Sequence, residues 1–210
     1  AIEARKDIVV GTTGWYDRLD EVRKVVESSG IGMVYAANFS IGVQLFYRLA
    51  RAAAENGLAL PALDGYRRIL SREPNDRDAL RGAGVAAAAA QRYEDARRYL
   101  TRYFALGPAD DYEAAFVLGE ALSSLGQKGA AAASYTRALK AIDAASKPSF
   151  QMRLVRANIL QRLGRAQEAL AAFEALRAER PNDRDLRADM VTALMQNKSY
   201  DDAQRVLKSP

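Results

Sequence analysis

A glycine-bracketed turn near the start of the chain has the residue types of an anion-binding loop. A short β-branched run at residues 8–10 leads directly into the turn, which consists of Gly11, Thr12, Thr13 and Gly14. Backbone N–H groups in such a turn, together with the N-terminus of a following helix, can hold a phosphate or another anion. The pattern predicts a buried strand that meets a ligand-facing loop.

The residues after this turn predict the elements that would position it. Between residues 17 and 29 the apolar residues have helical spacing, acidic residues crowd the first turn, and Gly30 follows as a helix-ending glycine. A second apolar run at residues 31–36 reads as a strand and leads into Ala37, Asn38 and Phe39. A strand, a helix and a strand within about 30 residues predict a right-handed parallel crossover.

Composition argues against catalysis. The chain has 210 residues but neither Cys nor His, which removes thiolate nucleophiles, thiolate metal sites and the commonest general base. We therefore expect a non-enzymatic protein without a metal site. No run reaches the roughly 20 apolar residues that span a bilayer, and the start lacks the apolar region of a signal peptide. These features predict a soluble, cytoplasmic protein.

The rest of the chain is organised as an internal repeat. Five alanines recur 34, 35, 38 and 34 residues apart, at Ala62, Ala96, Ala131, Ala169 and Ala203. Five residues before each alanine stands a turn residue: Gly57, Gln91, Gly126, Gly164 and Lys198. Four residues after it stands a large apolar residue: Tyr66, Leu100, Tyr135, Phe173 and Leu207. The motif Pro-Asn-Asp-Arg-Asp occurs at 74–78 and 181–185, where Pro ends one helix and Asn or Asp can cap the next.

This pattern resembles the tetratricopeptide repeat, whose units are helix-turn-helix pairs. The resemblance implies a mainly α fold, a tetratricopeptide-type α-solenoid with a small N-terminal β-α-β element. The expected domains are a strand-helix-strand fragment at 1–40 and a repeat array at 41–210. Its repeats are expected at about 43–76, 77–110, 112–145, 150–183 and 184–210. In this frame the first repeat helix packs through Phe46, Leu49, Ala50 and Ala53.

The first quarter of the chain carries a second resemblance. Val10-Gly-Thr-Thr-Gly-Trp15, followed by Tyr35-Ala-Ala-Asn-Phe-Ser-Ile-Gly-Val-Gln44, resembles the middle of dihydrodipicolinate reductase over about residues 5–54. The resemblance implies that an NAD(P) cofactor would lie beside Gly11, Thr12, Thr13, Gly14, Ala37, Asn38 and Phe39. The family's glycine-rich nucleotide-binding unit and its catalytic histidine and lysine motif have no counterpart here. The leading interpretation is a recombined or engineered chimera that needs no cofactor, and the alternative is a reductase fragment that binds NAD(P) and is completed by a partner chain.

The repeat resemblance also implies a peptide groove lined by the first helix of each repeat. The corresponding positions are Tyr47, Arg51, Arg81, Phe116, Glu120, Asn158, Gln161 and Met195. These groups suit a protein or peptide partner, and the alternative is a plain solvated surface. The net charge is −1 over residues 1–42 and +6 over the remainder, so we expect an acidic partner.

Other partner classes are weighed by the same patterns. Arginine and tyrosine interleave at residues 91–103. The repeat frame explains the tyrosines by packing and the arginines by an exposed helix face, so no nucleic acid is expected. No membrane is expected either.

The two predicted strands have open edges, and a two-stranded ribbon is marginal alone. A homodimer through the N-terminal strands is therefore expected.

Overall fold

The computed structural model describes residues 6–10, 18–35, 41–107, 110–196 and 198–208. Within these ranges the chain forms eleven helices and two short strands. Its internal contacts divide it into two compact units, residues 1–86 and residues 87–210. Within the described ranges, none of the helices is long and apolar enough to cross a bilayer.

The first unit begins with strand β1 (Ile8–Val10), helix α1 (Leu19–Ser29) and strand β2 (Met33–Tyr35). The two strands pair in parallel, with Val9 opposite Val34. A left-handed glycine, Gly30 at φ 68°, ends α1. None of the residues in α1 is buried, so this element contributes no core of its own.

Helical hairpins make up the rest of both units. The first unit continues with α2 (Ile41–Glu55), α3 (Ala59–Leu70) and α4 (Arg77–Ala89), which extends past the division at residue 86. The second unit contains α5 (Tyr93–Ala105), α6 (Tyr112–Ser124), α7 (Lys128–Asp143), α8 (Phe150–Arg162), α9 (Ala166–Glu179), α10 (Arg184–Gln196) and α11 (Tyr200–Lys208). We call α2, α4, α6, α8 and α10 the first helices, and α3, α5, α7, α9 and α11 the second helices.

Packing between these helices follows one rule. Each of α2, α6, α8 and α10 packs on the second helix that follows it. In the second unit, α5, α7 and α9 also pack on the next first helix. Every first helix described there is therefore covered by two second helices, which confirms the predicted all-helical repeat arrangement.

The five predicted turn residues all have a left-handed backbone. Their φ angles are 71° at Gly57, 58° at Gln91, 75° at Gly126, 73° at Gly164 and 59° at Lys198. A left-handed conformation is easy for glycine but costs other residues about 1 kcal/mol or more. The same turn therefore forms in all five pairs, even where the sequence does not supply glycine.

Side-chain caps begin the later first helices. The carboxylate Oδ1 of Asp76 accepts from the N–H of Ala79 at 2.8 Å, and Asp183 Oδ1 accepts from the N–H of Leu186 at 3.1 Å. These two aspartates come from the two copies of Pro-Asn-Asp-Arg-Asp, so the predicted capping is confirmed. Asp111 and Ser149 cap α6 and α8 in the same way.

The repeated alanines form the centre of the packing. Their exposed fractions are 0% at Ala62, Ala96 and Ala169, 2% at Ala203 and 3% at Ala131. The large residues four positions later are also buried, except Leu207, which is 64% exposed. Leu49, expected to pack, is 58% exposed. The prediction that Leu49 packs was wrong, because burial at this position requires a second helix in contact with that face of α2.

Close approach in the α6–α7 pair depends on Gly119. A Cβ atom at this position would lie 2.4 Å from Cε1 of Tyr135, far inside van der Waals contact. Gly129, at the start of α7, has no heavy atom within 4 Å of the same hypothetical Cβ. The two glycines therefore differ in packing, although both lie in helices of one hairpin.

We predict opposite effects of alanine at these two glycines. Gly119→Ala must displace the Tyr135 ring, and such overpacking costs about 1–3 kcal/mol. Gly129→Ala gains helix propensity and should stabilise the protein by up to about 1 kcal/mol. Chemical denaturation followed by circular dichroism measures both changes. Equal effects of the two substitutions would contradict the packing described here.

Candidate functional site

The inner face of the second unit brings together side chains from α6, α8 and α10. Five residues predicted to line a groove lie on these helices: Phe116, Glu120, Asn158, Gln161 and Met195. Met195 is 50% exposed, and the other four side chains are half-buried. We call this set of positions the inner face.

Glu120 on the inner face accepts hydrogen bonds from side chains of two other helices. Its Oε1 accepts from the hydroxyl of Tyr135 at 2.5 Å, and its Oε2 accepts from a guanidinium N–H of Arg162 at 2.9 Å. Burial of the phenol, together with this hydrogen bond to a carboxylate, raises the pKa of Tyr135 above its usual value. The Phe116 ring lies 6.1 Å from the Tyr135 ring, centroid to centroid. Glu120 thus joins α6, α7 and α8 and is already neutralised by one cation.

Amide groups connect α8 to α10. Asn158 Nδ2 donates to Asp189 Oδ2 at 3.1 Å, and Gln161 Nε2 donates to Gln196 Oε1 at 2.8 Å. Both amides were predicted to face a ligand. Both amides bond to the next repeat, so a partner must share or displace these hydrogen bonds.

Four residues that hydrogen-bond to the inner face were not predicted as site residues: Tyr135, Arg162, Asp189 and Gln196. Asn158 corresponds to Thr192 in the next repeat, yet its partner Asp189 lies about one helical turn earlier. First helices that cross at an angle produce such an offset. A search for polar pairs one repeat apart, with a one-turn offset, would have found Asp189.

The predicted groove residues of the first unit form a separate aromatic cluster. Tyr47 on α2 donates its hydroxyl to Oδ1 of Asp76, the buried cap of α4. Burial and this hydrogen bond raise the pKa of Tyr47. The Tyr66 ring meets the Tyr47 ring edge-on at 6.5 Å, and the Arg51 guanidinium lies 5.7 Å from the Tyr47 centroid.

The two arginines of this cluster are more accessible to solvent than the Tyr66 ring. Arg51 is exposed and Arg81 is half-buried, whereas Tyr66 is only 7% exposed. The phenol of Tyr47 donates to Asp76, the residue that caps α4, so this hydrogen bond supports the fold. Arg51 and Arg81 are the groups here that a ligand could reach.

Two clefts lie elsewhere in the second unit. One of about 520 Å³ runs between α9, α10 and α11 and includes Leu170, Glu174 and Val206. Another of about 340 Å³ lies beside the longer α7–α8 connection, with Pro148 and Arg156 in its wall. Neither contains a residue of the inner face.

Two further kinds of site concern a metal ion and the predicted NAD(P) cofactor. No group of three His, Cys, Asp or Glu residues there could hold a metal ion. The residues predicted to contact NAD(P) are Gly11, Thr12, Thr13, Gly14, Ala37, Asn38 and Phe39, and all of them lie outside the described ranges.

Curated reductases match parts of the chain. A 4-hydroxy-tetrahydrodipicolinate reductase from Christiangramia forsetii is 38% identical over 47 residues, which are 22% of this chain and 20% of that enzyme. Its counterpart from Paraburkholderia phymatum is 28% identical over 102 residues, or 47% of this chain and 38% of the enzyme. The chain therefore spans well under half the length of these relatives.

Solved structures resemble the chain over most of its length. A tetratricopeptide repeat protein from Parabacteroides merdae has a TM-score of 0.62 at 16% identity, covering 92% of this chain and 73% of its own. MamA from Desulfovibrio magneticus has a TM-score of 0.58 at 15% identity, with 80% and 92% covered. YrrB, described as a repeat protein of this type with an unusual peptide-binding site, has a TM-score of 0.53 at 20% identity, with 77% and 81% covered. These likenesses support the fold.

Family models match the repeats themselves. One model described as tetratricopeptide repeat matches residues 47–111 and 87–148, and a second with the same description matches residues 160–209. Because the two models together match more than half of its residues, the chain belongs to the tetratricopeptide repeat family.

Proposed function

We propose that this chain is a non-catalytic scaffold that binds an extended segment of a partner protein on the inner face of its second unit. The proposal rests on one observation: α6, α8 and α10 present apolar and hydrogen-bonding side chains side by side. Phe116 and Met195 supply apolar contact. Amides, carboxylates and a guanidinium lie between them. Extended peptides are recognised by such combinations of pockets and polar groups.

The polar groups of the inner face favour a partner that brings its own hydrogen bonds. Asn158, Gln161 and Glu120 are each satisfied within the protein. Leaving such a group without its hydrogen-bond partner costs about 1–3 kcal/mol of free energy. A peptide backbone can replace the lost bonds, whereas a purely apolar ligand cannot. The solved structure of YrrB, which shares the fold, supports peptide binding as the class of function.

Charge supports an acidic partner. The second unit carries 19 Lys and Arg against 15 Asp and Glu. On the inner face Arg162 is already paired with Glu120, so the attraction comes from the positive excess of the unit as a whole. An excess of positive charge attracts acidic segments and speeds their association.

We predict that the sign of a charge introduced at Met195 changes the affinity for an acidic peptide. Met195→Glu should weaken binding of a fluorescein-labelled acidic peptide by about tenfold more than Met195→Lys, because both variants lose the apolar contact and only glutamate repels the peptide. Fluorescence anisotropy measures both, with a lysine-substituted peptide as the reversed probe. Thr136, exposed on α7, provides the matched control through Thr136→Lys and Thr136→Glu. Equal effects at the two positions would place binding away from the inner face.

We also propose that residues 1–40 are a fragment of a dinucleotide-binding fold, joined to the repeat array at 41–210 in a recombined or engineered chimera. The partial identity to two reductases supports this origin. The parallel pairing of β1 with β2 and the position of α1 between them in the chain are features of such a fold.

The alternative function is NAD(P) binding by this fragment. Without the adenine-binding half, few contacts remain to offset the cost of immobilising a cofactor. We therefore predict that adding the protein to NADH leaves its fluorescence unchanged. A saturable change in NADH fluorescence would favour the reductase fragment over the scaffold.

Pairing of the N-terminal strands between two copies stays a prediction. In the described residues β1 and β2 pair only with each other, so each strand retains one open edge. Deletion of residues 1–40 should abolish a dimer of this kind, as measured by analytical ultracentrifugation. A dimer that survives the deletion must use another surface.

A further inference from the structure

Two arginines from the end of α3 lie against one aromatic ring of α2. The guanidinium carbons of Arg68 and Arg72 are 5.6 Å and 5.7 Å from the centroid of the Phe46 ring. Both arginines are exposed, and Phe46 is half-buried. Arg72 follows the helix in a hydrogen-bonded turn, where its N–H donates to the carbonyl of Ile69. We call Arg68 and Arg72 the arginine pair.

Neither guanidinium of the arginine pair has a carboxylate partner in the part of the chain that the structure describes. The carboxylate of α3, Asp64, lies instead 3.8 Å from a guanidinium nitrogen of Arg67. The face of the Phe46 ring attracts each cation but carries no net charge. Two cations are therefore held close to each other without a counter-charge.

The fourth repeat shows what balances an arginine at the equivalent positions. Counted from the repeated alanine of each repeat, Arg72 corresponds to Glu179. By the same count Phe46 corresponds to Arg153. There Nη2 of Arg153 donates to Oε2 of Glu179 at 2.7 Å. The first repeat has an arginine where the fourth has this glutamate, so its own chain supplies no carboxylate at this place.

From these observations we propose that the arginine pair binds the carboxylates of an acidic segment in a partner protein. One helical turn separates the two residues by about 6 Å along the helix axis. Alternate residues of an extended segment are about 6.7 Å apart. A segment of the form Glu-x-Glu can therefore offer one carboxylate to each guanidinium, and hydrogen bonds between such charged groups are strong.

The aromatic groups around the arginine pair favour a protein over a nucleic acid. Single-stranded nucleic acids are held largely by bases that stack on aromatic faces. The Phe46 ring already lies against both guanidiniums, and Tyr66 on α3 is only 7% exposed. The cluster thus offers cations without a free aromatic face. It belongs to the first unit, so the inference does not depend on peptide binding at the inner face.

Fluorescence anisotropy with two labelled peptides tests the arginine pair. The acidic probe is a fluorescein-labelled repeat of Glu-Ser, which has no apolar anchor for the inner face, and the reversed probe carries Lys in place of Glu. The acidic probe should bind the parent chain saturably. The double variant Arg68→Glu with Arg72→Glu should bind it about tenfold or more weakly. The reversed probe should bind this variant more tightly than the parent, which a loss of folding cannot produce.

The matched control is the double variant Arg48→Glu with Arg51→Glu. These arginines are exposed on α2 and change the net charge equally, but Arg48 lies about 200° around the helix from Phe46. The control should weaken binding by at most about twofold, and circular dichroism should show that both double variants are folded. Equal weakening by the two variants overturns the inference, as does a parent chain without saturable binding.

Two further outcomes would place the acidic segment or the partner elsewhere. If Met195→Glu weakens binding of the acidic probe and the arginine-pair variant does not, the segment binds the inner face, and only the function proposed above survives. If a labelled oligothymidylate of the same charge binds the parent chain more tightly than the acidic probe, the choice of a protein partner is wrong.

Discussion

The second unit depends on one packing requirement: α6, α8 and α10 must each be covered by the second helix that precedes them as well as by the one that follows. A short hairpin cannot bury its apolar face alone, so stability comes from contacts between neighbouring repeats. Alanine at the helix crossings lets the backbones approach, and Gly119 does so where the Tyr135 ring needs space. The left-handed turn after each first helix then reverses the chain into the second helix.

Close helix packing also determines the chemistry of the inner face. Because α8 and α10 are held side by side, Asn158 reaches Asp189 and Gln161 reaches Gln196. These bonds align the repeats with each other and present a row of polar groups. For the peptide partner proposed above, bonding to groups that are already satisfied adds little affinity, so we expect most of it to come from apolar anchors such as Phe116 and Met195. We expect the polar row to select which segments fit, since a poorly matched ligand leaves these groups unpaired.

Sequence spacing was sufficient to predict the repeat core and the caps. Ala62 and its counterparts are buried, and Gly57 and its counterparts form the turns between helices. Asp76 and Asp183 cap helix N-termini. Each of these roles depends on local spacing. Leu49 was predicted incorrectly because its burial depends on a neighbouring helix. The hydrogen bonds of Tyr135, Arg162 and Asp189 were not predicted, because side-chain pairing depends on helix crossing angles that a single sequence does not specify. The residues of the proposed cofactor loop lie outside the described ranges.

Helix α2 shows how burial in a repeat depends on neighbouring helices. One face of α2 is buried against α3, where Val43 and Ala50 are 1% exposed. Leu45 and Leu49 on another face are 54% and 58% exposed, whereas their counterparts in α4, α6 and α10 are at most 8% exposed. In α6 and α10 the preceding second helix also packs on the first helix. The same helical spacing therefore gives a buried or an exposed leucine according to whether a second helix contacts that face.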